Sequence, residues 1–135
     1  AHDMSKSNII LWVKHSLEQG KKIQVINDQW RTPTLAEDLA LGCMAIAQKK
    51  VEGIFNVSGK DLLTPHEMAL KTAHFFNLDV SLIEEVDGSV FTQPANRPAR
   101  TGFILDKAIA ELNYKPHSFD EGIAILQKQL AGRSL

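Results

Sequence analysis

A chain of 135 residues, 44% apolar and 23% charged, has the size and balance of one ordinary globular domain, able to bury roughly two thirds of its unfolded surface. Its net charge of -1 leaves no basic excess to neutralise a phosphate backbone, so nucleic acid is not an expected partner. The single cysteine, Cys43, permits no disulfide framework, no apolar run reaches the length of a membrane span, and "AHDMSKSN" carries no signal-like apolar region; the expected location is cytoplasmic.

Asn8–Gly20 places Ile9, Trp12, Val13 and Leu17 at helical spacing, with Gly20 where a C-cap belongs. "KKIQVIN" then alternates, which predicts a short strand with Ile23, Val25 and Ile26 as core positions. The polar stretch "NDQWRTPT" (Asn27–Thr34) follows. Thr34-Leu35-Ala36-Glu37 reads as a capping box for a helix running to Lys49–Lys50, with Leu35, Leu39, Cys43, Ile46 and Ala47 on its apolar face. On that face Cys43 is expected to be a buried structural thiol.

"GIFNVSG" (Gly53–Gly59) is an apolar run bounded by glycines, which predicts a buried strand. Thr64-Pro65-His66-Glu67 is a second capping box, with proline at the first helical position, and its helix carries Met68, Ala69, Thr72, Ala73 and Phe76. "DVSLIEEV" reads as a strand, Asp87–Gly102 has no regular pattern, and "ILDKAIAELN" reads as a short helix. Ser118-Phe119-Asp120-Glu121 is a third capping box, opening a last helix through Ile123, Leu126 and Leu130. Helices alternating with strands predict an α/β fold with parallel pairing. No repeat, low-complexity segment or linker divides residues 1–135, which are expected to form a single domain.

The glycines form neither G-x-G-x-x-G nor a Walker loop, so no dinucleotide or phosphate cradle of those kinds is present. Tyr114, the sole tyrosine, lies in "NYKPHS" between two helices and reads as a packing residue rather than a catalytic phenol. His66 and His74 are too far apart on a helix to chelate one ion, His2 and Asp3 stand in the terminus, and no His or Cys cluster has metal-ligand spacing; no metal is expected, and His66 is expected in an exposed first turn. Two polar constellations remain. One is Asn27, Asp28, Gln29, Trp30 and Arg31. The other is "QPANRPAR", where Gln93, Asn96, Arg97 and Arg100 stand among prolines that fix the backbone and present guanidinium groups suited to phosphate or carboxylate. Each reads as a ligand-facing loop or as a solvated connector, and the residue chemistry alone leans towards the connector.

"VINDQWRTPTLAEDLA" resembles the strand–loop–helix of the dTDP-4-dehydrorhamnose reductase group of extended short-chain dehydrogenases, with its "NDQ…PT…DLA" pattern. "GIFNVSGKDLLTPHEMA" and "NRPARTGFILDKAIAELNYKPHSFDEGI" are similar to later segments of that group, and "SNIILWVKHSLEQGKKI" to its preceding helix. The resemblance runs from about Asn8 to Leu130 in order and spacing. It implies the C-terminal, substrate-binding part of a Rossmann-like extended short-chain dehydrogenase, without the N-terminal half that carries the glycine-rich loop and the catalytic Y-x-x-x-K. "AHDMSKSN" would be the loop entering that part.

By resemblance, the intact enzyme reduces a 4-keto sugar nucleotide with NADPH or NADH bound mainly outside this chain, and this chain holds no catalytic residue. Arg97 matches the arginine of the family's "RP" and is the first expected contact to a dTDP-sugar, with Asn96 and Arg100 of the ligand-facing segment 87–102 and Trp30 of the "NDQWRTPT" loop as further substrate-binding candidates. Asp28 and Gln29 match the "DQ" and are also substrate-binding candidates, expected where the substrate portion meets the nucleotide-binding half, there either to touch ligand or only to orient the loop. Arg31 departs from the glycine often found there, and "WRTPT" leaves the sugar open. Alternative expectations are a sugar-nucleotide epimerase or dehydratase of the same superfamily, or a non-catalytic regulatory subunit such as that of methionine adenosyltransferase. Strand Ile54–Val57 and the preceding helix would join the Rossmann sheet, so uncovered apolar surface is expected to pair with the N-terminal half or with another copy in a homo-oligomer.

Overall fold

The computed structural model describes residues 8–91 and 98–132. In chain order it contains α1 (Ile9–Glu18), β1 (Ile23–Ile26), α2 (Ala36–Lys49), α3 (Pro65–Phe75), a 3-10 turn (Val80–Leu82), β2 (Ile83–Val86), a second 3-10 turn (Gly88–Val90), α4 (Asp106–Leu112) and α5 (Phe119–Gly132). The described parts of Ala1–Trp30 and Leu63–Arg100 form one compact unit, and those of Arg31–Leu62 and Thr101–Leu135 form another.

In the first unit the elements close where the sequence predicts. Asn8 caps α1, its side-chain oxygen accepting from Leu11 N–H at 2.9 Å. Gly20, at φ +67°, ends it: the N–H groups of Gly20 and Lys21 donate to the carbonyls of Leu17 and Ser16, the paired closure that only a left-handed residue allows cheaply. The capping box of α3 is complete. Thr64 Oγ1 accepts from Glu67 N–H at 3.1 Å, and the Glu67 carboxylate accepts from Thr64 N–H at 2.7 Å. Asn77, at φ +53°, closes that helix in the same way.

β1 and β2 pair in parallel, in register from Ile23↔Ile83 to Ile26↔Val86. Val13, Leu17, Ile23, Val25, Ala69 and Ala73 form the buried core, flanked by Ile9, Trp12, Leu78, Leu82 and Ile83. Each fully buried Val or Leu contributes about 2 kcal/mol of transfer free energy, so Val13, with no exposed surface, is a principal anchor between α1 and its neighbours. Of the predicted strand "DVSLIEEV" only Ile83–Val86 is strand. Asp79 caps Ser81 N–H at 2.9 Å and turns Val80–Leu82 into a 3-10 turn first. His66 lies in the first turn of α3 but is half-buried rather than exposed.

The second unit departs from expectation at three places. Gly53–Gly59 is not a strand, and Ile54 is 86% exposed. Among the described residues no strand of this unit runs beside it, and three of its backbone groups are paired with side chains. Ile54 carbonyl accepts from Lys107 Nζ at 3.1 Å, Ser58 carbonyl accepts from the Tyr114 hydroxyl at 3.0 Å, and Gly59 N–H donates to Thr34 Oγ1 at 2.9 Å. That last bond also explains why the Thr34 capping box does not form. The hydroxyl is committed to Gly59 and to the Thr32 carbonyl, and α2 begins after Leu35 with no side-chain cap.

Third, Cys43 is exposed rather than buried, and Leu39 with it. The helix instead turns Asp38 and Gly42 inward, with Ala45 and Ile46 half-buried. This is the expected apolar face displaced by one residue, about 100° of helix rotation. Gly42 permits it: a β-carbon there would stand 3.0 Å from Val57 Cγ1 and 3.5 Å from Tyr114 Cε2. The core of this unit is Leu105, Ala108, Leu112 and Tyr114, with Ala45, Ile46, Val51, Phe55 and Val57 against it. Ser118 caps α5 as predicted, its hydroxyl accepting from Glu121 N–H at 3.2 Å while Glu121 accepts from Ser118 N–H at 2.6 Å. Among the described residues no helix is long and apolar enough to cross a membrane.

Candidate functional site

The parallel pairing of β1 and β2 does not end with the strands. Asn27 N–H donates to Val86 carbonyl at 2.9 Å, and the Asn27 side-chain amide donates to Glu85 Oε1 at 2.6 Å. One residue on, Asp28 Oδ2 accepts from Gly88 N–H at 2.9 Å. Two further on, Trp30 N–H donates to Ala99 carbonyl at 2.7 Å, and Trp30 pairs with Arg100 in a parallel bridge. The loop Asn27–Trp30 therefore holds both described ends of the irregular segment: the 3-10 turn at Gly88 and the residues around Arg100. Of the second polar constellation seen in the sequence, Arg100 stands beside the first here.

Asn27, Asp28, Gln29 and Trp30 are half-buried and Arg100 is exposed. Gln93, Asn96 and Arg97 lie outside the described residues. A β-carbon on Gly88 would stand 3.2 Å from Gln29 Nε2 and 3.3 Å from each Asp28 carboxylate oxygen, so both side chains close over this glycine. Among the described residues Asp28 Oδ1 is buried with no donor. The neighbouring Asp87 turns back on its own chain: the Ser89 hydroxyl and N–H hold its carboxyl below the usual carboxylate range. The arrangement offers acceptors, an indole and one exposed guanidinium from a braced backbone. Among its described residues none is a nucleophile paired with a base.

Sequence reasoning missed a second polar cluster, within the unit of α2, α4 and α5. Asp38, 1% exposed, accepts from His117 N–H at 2.8 Å and shares a 2.7 Å contact with His117 Nδ1. Nearby Tyr114 donates to Ser58 carbonyl, and burial, reinforced by the negative charge of Asp38, pushes its phenol above the ordinary tyrosine range. A committed hydroxyl with a raised pKa is a poor proton donor at neutral pH, which agrees with its reading as a packing residue. Nothing local in the sequence joins Asp38 to a histidine 79 positions away; the one hint is an acid at the inward position one turn before Gly42. Among the described residues no group of three or more His, Cys, Asp or Glu is placed to hold a metal ion.

Residues 2–131 match the RmlD substrate binding domain family. The chain belongs to this family. Among curated proteins, the RmlD-domain chain is 26% identical over 116 residues to the "Probable low-salt glycan biosynthesis reductase Agl14" of Haloferax volcanii, covering 86% of this chain and 39% of that protein. Among solved structures it matches a dTDP-4-dehydrorhamnose reductase of Bacillus anthracis in complex with NADP, with a TM-score of 0.79, 22% identity, and 91% of this chain against 43% of the other. A dTDP-4-dehydrorhamnose reductase from Clostridium acetobutylicum matches with a TM-score of 0.78, 21% identity, and 93% against 44%. The fold is thus α/β, that of the C-terminal part of these extended short-chain dehydrogenases, and the RmlD-domain chain spans about two fifths of the length of the relatives it matches.

Proposed function

We propose that this chain is the substrate-binding portion of an NAD(P)H-dependent reductase that acts on a 4-keto sugar nucleotide, a dTDP-4-dehydrorhamnose reductase-like activity of dTDP-rhamnose biosynthesis. Membership of the RmlD substrate binding domain family over residues 2–131 carries it. The bracing of the Asn27–Trp30 loop against Gly88 and Ala99–Arg100 supports it, because a polar loop held at three points is a pre-organised wall rather than a loose connector.

In this reading Arg97, the arginine matching the family's "RP", and the exposed Arg100 take the diphosphate, since a guanidinium fork pairs with phosphate oxygens two at a time. Asn96 and Trp30 bound the sugar or base. The nicotinamide, when bound, supplies the hydride for the keto carbon. Nothing in this sequence fits a dinucleotide: it has no glycine-rich loop, and Tyr114 is committed to Ser58. The cofactor and the proton donor therefore belong to a nucleotide-binding half of the same protein, and this chain by itself is inactive. That half, or a second copy, covers Ile54, Ile104 and Phe103, which are 86%, 79% and 58% exposed.

Calorimetric titration tests the proposal. The chain is expected to bind dTDP weakly, more weakly still after Arg97→Ala, and to bind no NADPH. Tight NADPH binding would overturn it, and an absence of dTDP binding at millimolar concentration would count against a substrate role for this chain on its own.

A further inference from the structure

Beside the Asn27 side-chain bond to Glu85, the loop Asn27–Trp30 makes three bonds to backbone groups of its neighbours, and these are of two kinds. Asn27 to Val86 and Trp30 to Ala99 are backbone to backbone, and most side chains would permit them. The middle one, Gly88 N–H to Asp28 Oδ2, depends on one side chain of one length. It is also the bond that meets the irregular segment at its first turn.

Two observations separate Asp28 from an ordinary turn residue. Gly88 does not have a positive φ, so its backbone does not call for glycine; space does, because Asp28 and Gln29 lie 3.2–3.3 Å from where a β-carbon would be. And Asp28 leaves its other oxygen, Oδ1, buried without a donor among the described residues. A buried acceptor with no partner costs stability. An aspartate kept under that cost is explained by what it fixes in place, not by what it adds to the fold.

We propose that Asp28 is the positioning residue of the substrate-facing segment: its carboxylate fastens the first turn at Gly88 to the loop Asn27–Trp30, and through that loop sets the place of Arg100. Asp28 acts on the neighbouring chain and does not touch the ligand. The identity of the ligand rests on the function proposed above; the fastening itself does not.

Amide exchange followed by NMR, with trypsin cleavage after Arg100, tests this on the full chain. In Asp28→Ala the Gly88 amide is expected to exchange about tenfold faster, as loss of one charge-assisted hydrogen bond implies. Cleavage after Arg100 rises with it, while the Asn27 amide, bonded to Val86, keeps its protection. Asp28→Asn retains an acceptor and restores both. Unchanged Gly88 exchange in Asp28→Ala overturns the proposal. So does faster Gly88 exchange with unchanged cleavage after Arg100, or an Asn variant as open as the Ala variant. Should Asp28→Ala fail to fold, Gly88→Ala displaces the same contact from its other side and must raise cleavage after Arg100. A dTDP titration of the same variants separates the two proposals: no binding by the unaltered chain rejects the ligand, and exchange and cleavage still judge the fastening.

Discussion

Among the described residues, the long-range backbone bonds of the unit built on β1 and β2 run from backbone to backbone, with Asp28 to Gly88 the side-chain exception; in the unit built on α2, α4 and α5 they run to side chains. The first closes α1 and α3 with left-handed residues at Gly20 and Asn77 and extends its parallel ladder to Asn27. The second holds Gly53–Gly59 with Lys107, Tyr114 and Thr34, the α4–α5 connection with Asp38, and the start of α5 with Asp61, whose carboxylate accepts from Phe119 N–H at 2.7 Å. Backbone pairing tolerates side-chain change; side-chain pairing concentrates stability in single residues. The second unit should therefore be the more brittle. The aromatic residues make this measurable, because both tryptophans, Trp12 and Trp30, lie in the first unit and the sole tyrosine, Tyr114, in the second.

The largest effect is expected at Gly59. A β-carbon there would stand 1.9 Å from the Pro33 carbonyl oxygen, a backbone atom that no rotamer change can move aside. Gly59→Ala must separate the two segments and break the Gly59–Thr34 bond, at a cost of about 3 kcal/mol. Urea denaturation read on Tyr114 should shift to markedly lower midpoint, and the tryptophan transition should shift less. Coincident shifts would show that the two units unfold as one and dissolve the comparison.

A smaller effect tests the first unit. Thr64→Ala removes the hydroxyl that caps Glu67 N–H and should cost about 1 kcal/mol, read as a lower midpoint of tryptophan fluorescence. A loss matching that of Gly59→Ala would contradict the claim that this unit spreads its stability over many backbone bonds.

The same division governs what the sequence disclosed. α1, α3, β1 and the Thr64 and Ser118 capping boxes follow from spacing and local chemistry, since cap and capped group stand within four residues. Gly53–Gly59 has the composition of a strand, but a strand is a relation to a neighbour, and composition does not supply the neighbour. The face of α2 was misjudged because the hydrophobic pattern favours Leu39 and Cys43, whereas the helix is oriented by Asp38 meeting His117 and by Gly42 meeting Val57. Thr34 looks like a cap until Gly59, 25 residues away, takes its hydroxyl. At the candidate site the sequence marked Asp28, Gln29, Trp30 and Arg100 as polar and unusual, yet that Asp28 meets Gly88 and Trp30 meets Ala99 depends on the register of β1 against β2.

The smallest effect, and the most specific in form, concerns pH. The Ser118 N–H, then its hydroxyl, then Lys60 lower the pKa of Glu121 from its ordinary 4.5 to about 2. A carboxylate whose folded pKa lies below its unfolded one stabilises the fold fully above the unfolded value, and that contribution is lost as pH falls towards the folded one. The advantage of the native chain over Glu121→Gln should therefore be constant above about pH 5 and disappear between the ordinary 4.5 and about 2, on the Tyr114 signal. Glu121 is solvent-exposed, so the size is modest. Salt separates the causes: Lys60 Nζ meets Glu121 Oε2 at 3.3 Å in a solvent-exposed pair that salt screens, whereas the bond from Ser118 N–H at 2.6 Å is far less sensitive to it. Most of the acid dependence should survive high salt. Its disappearance there would mean that an ion pair, rather than a backbone group satisfied by a side chain, holds the start of α5, and the contrast between the two units would lose one of its cases.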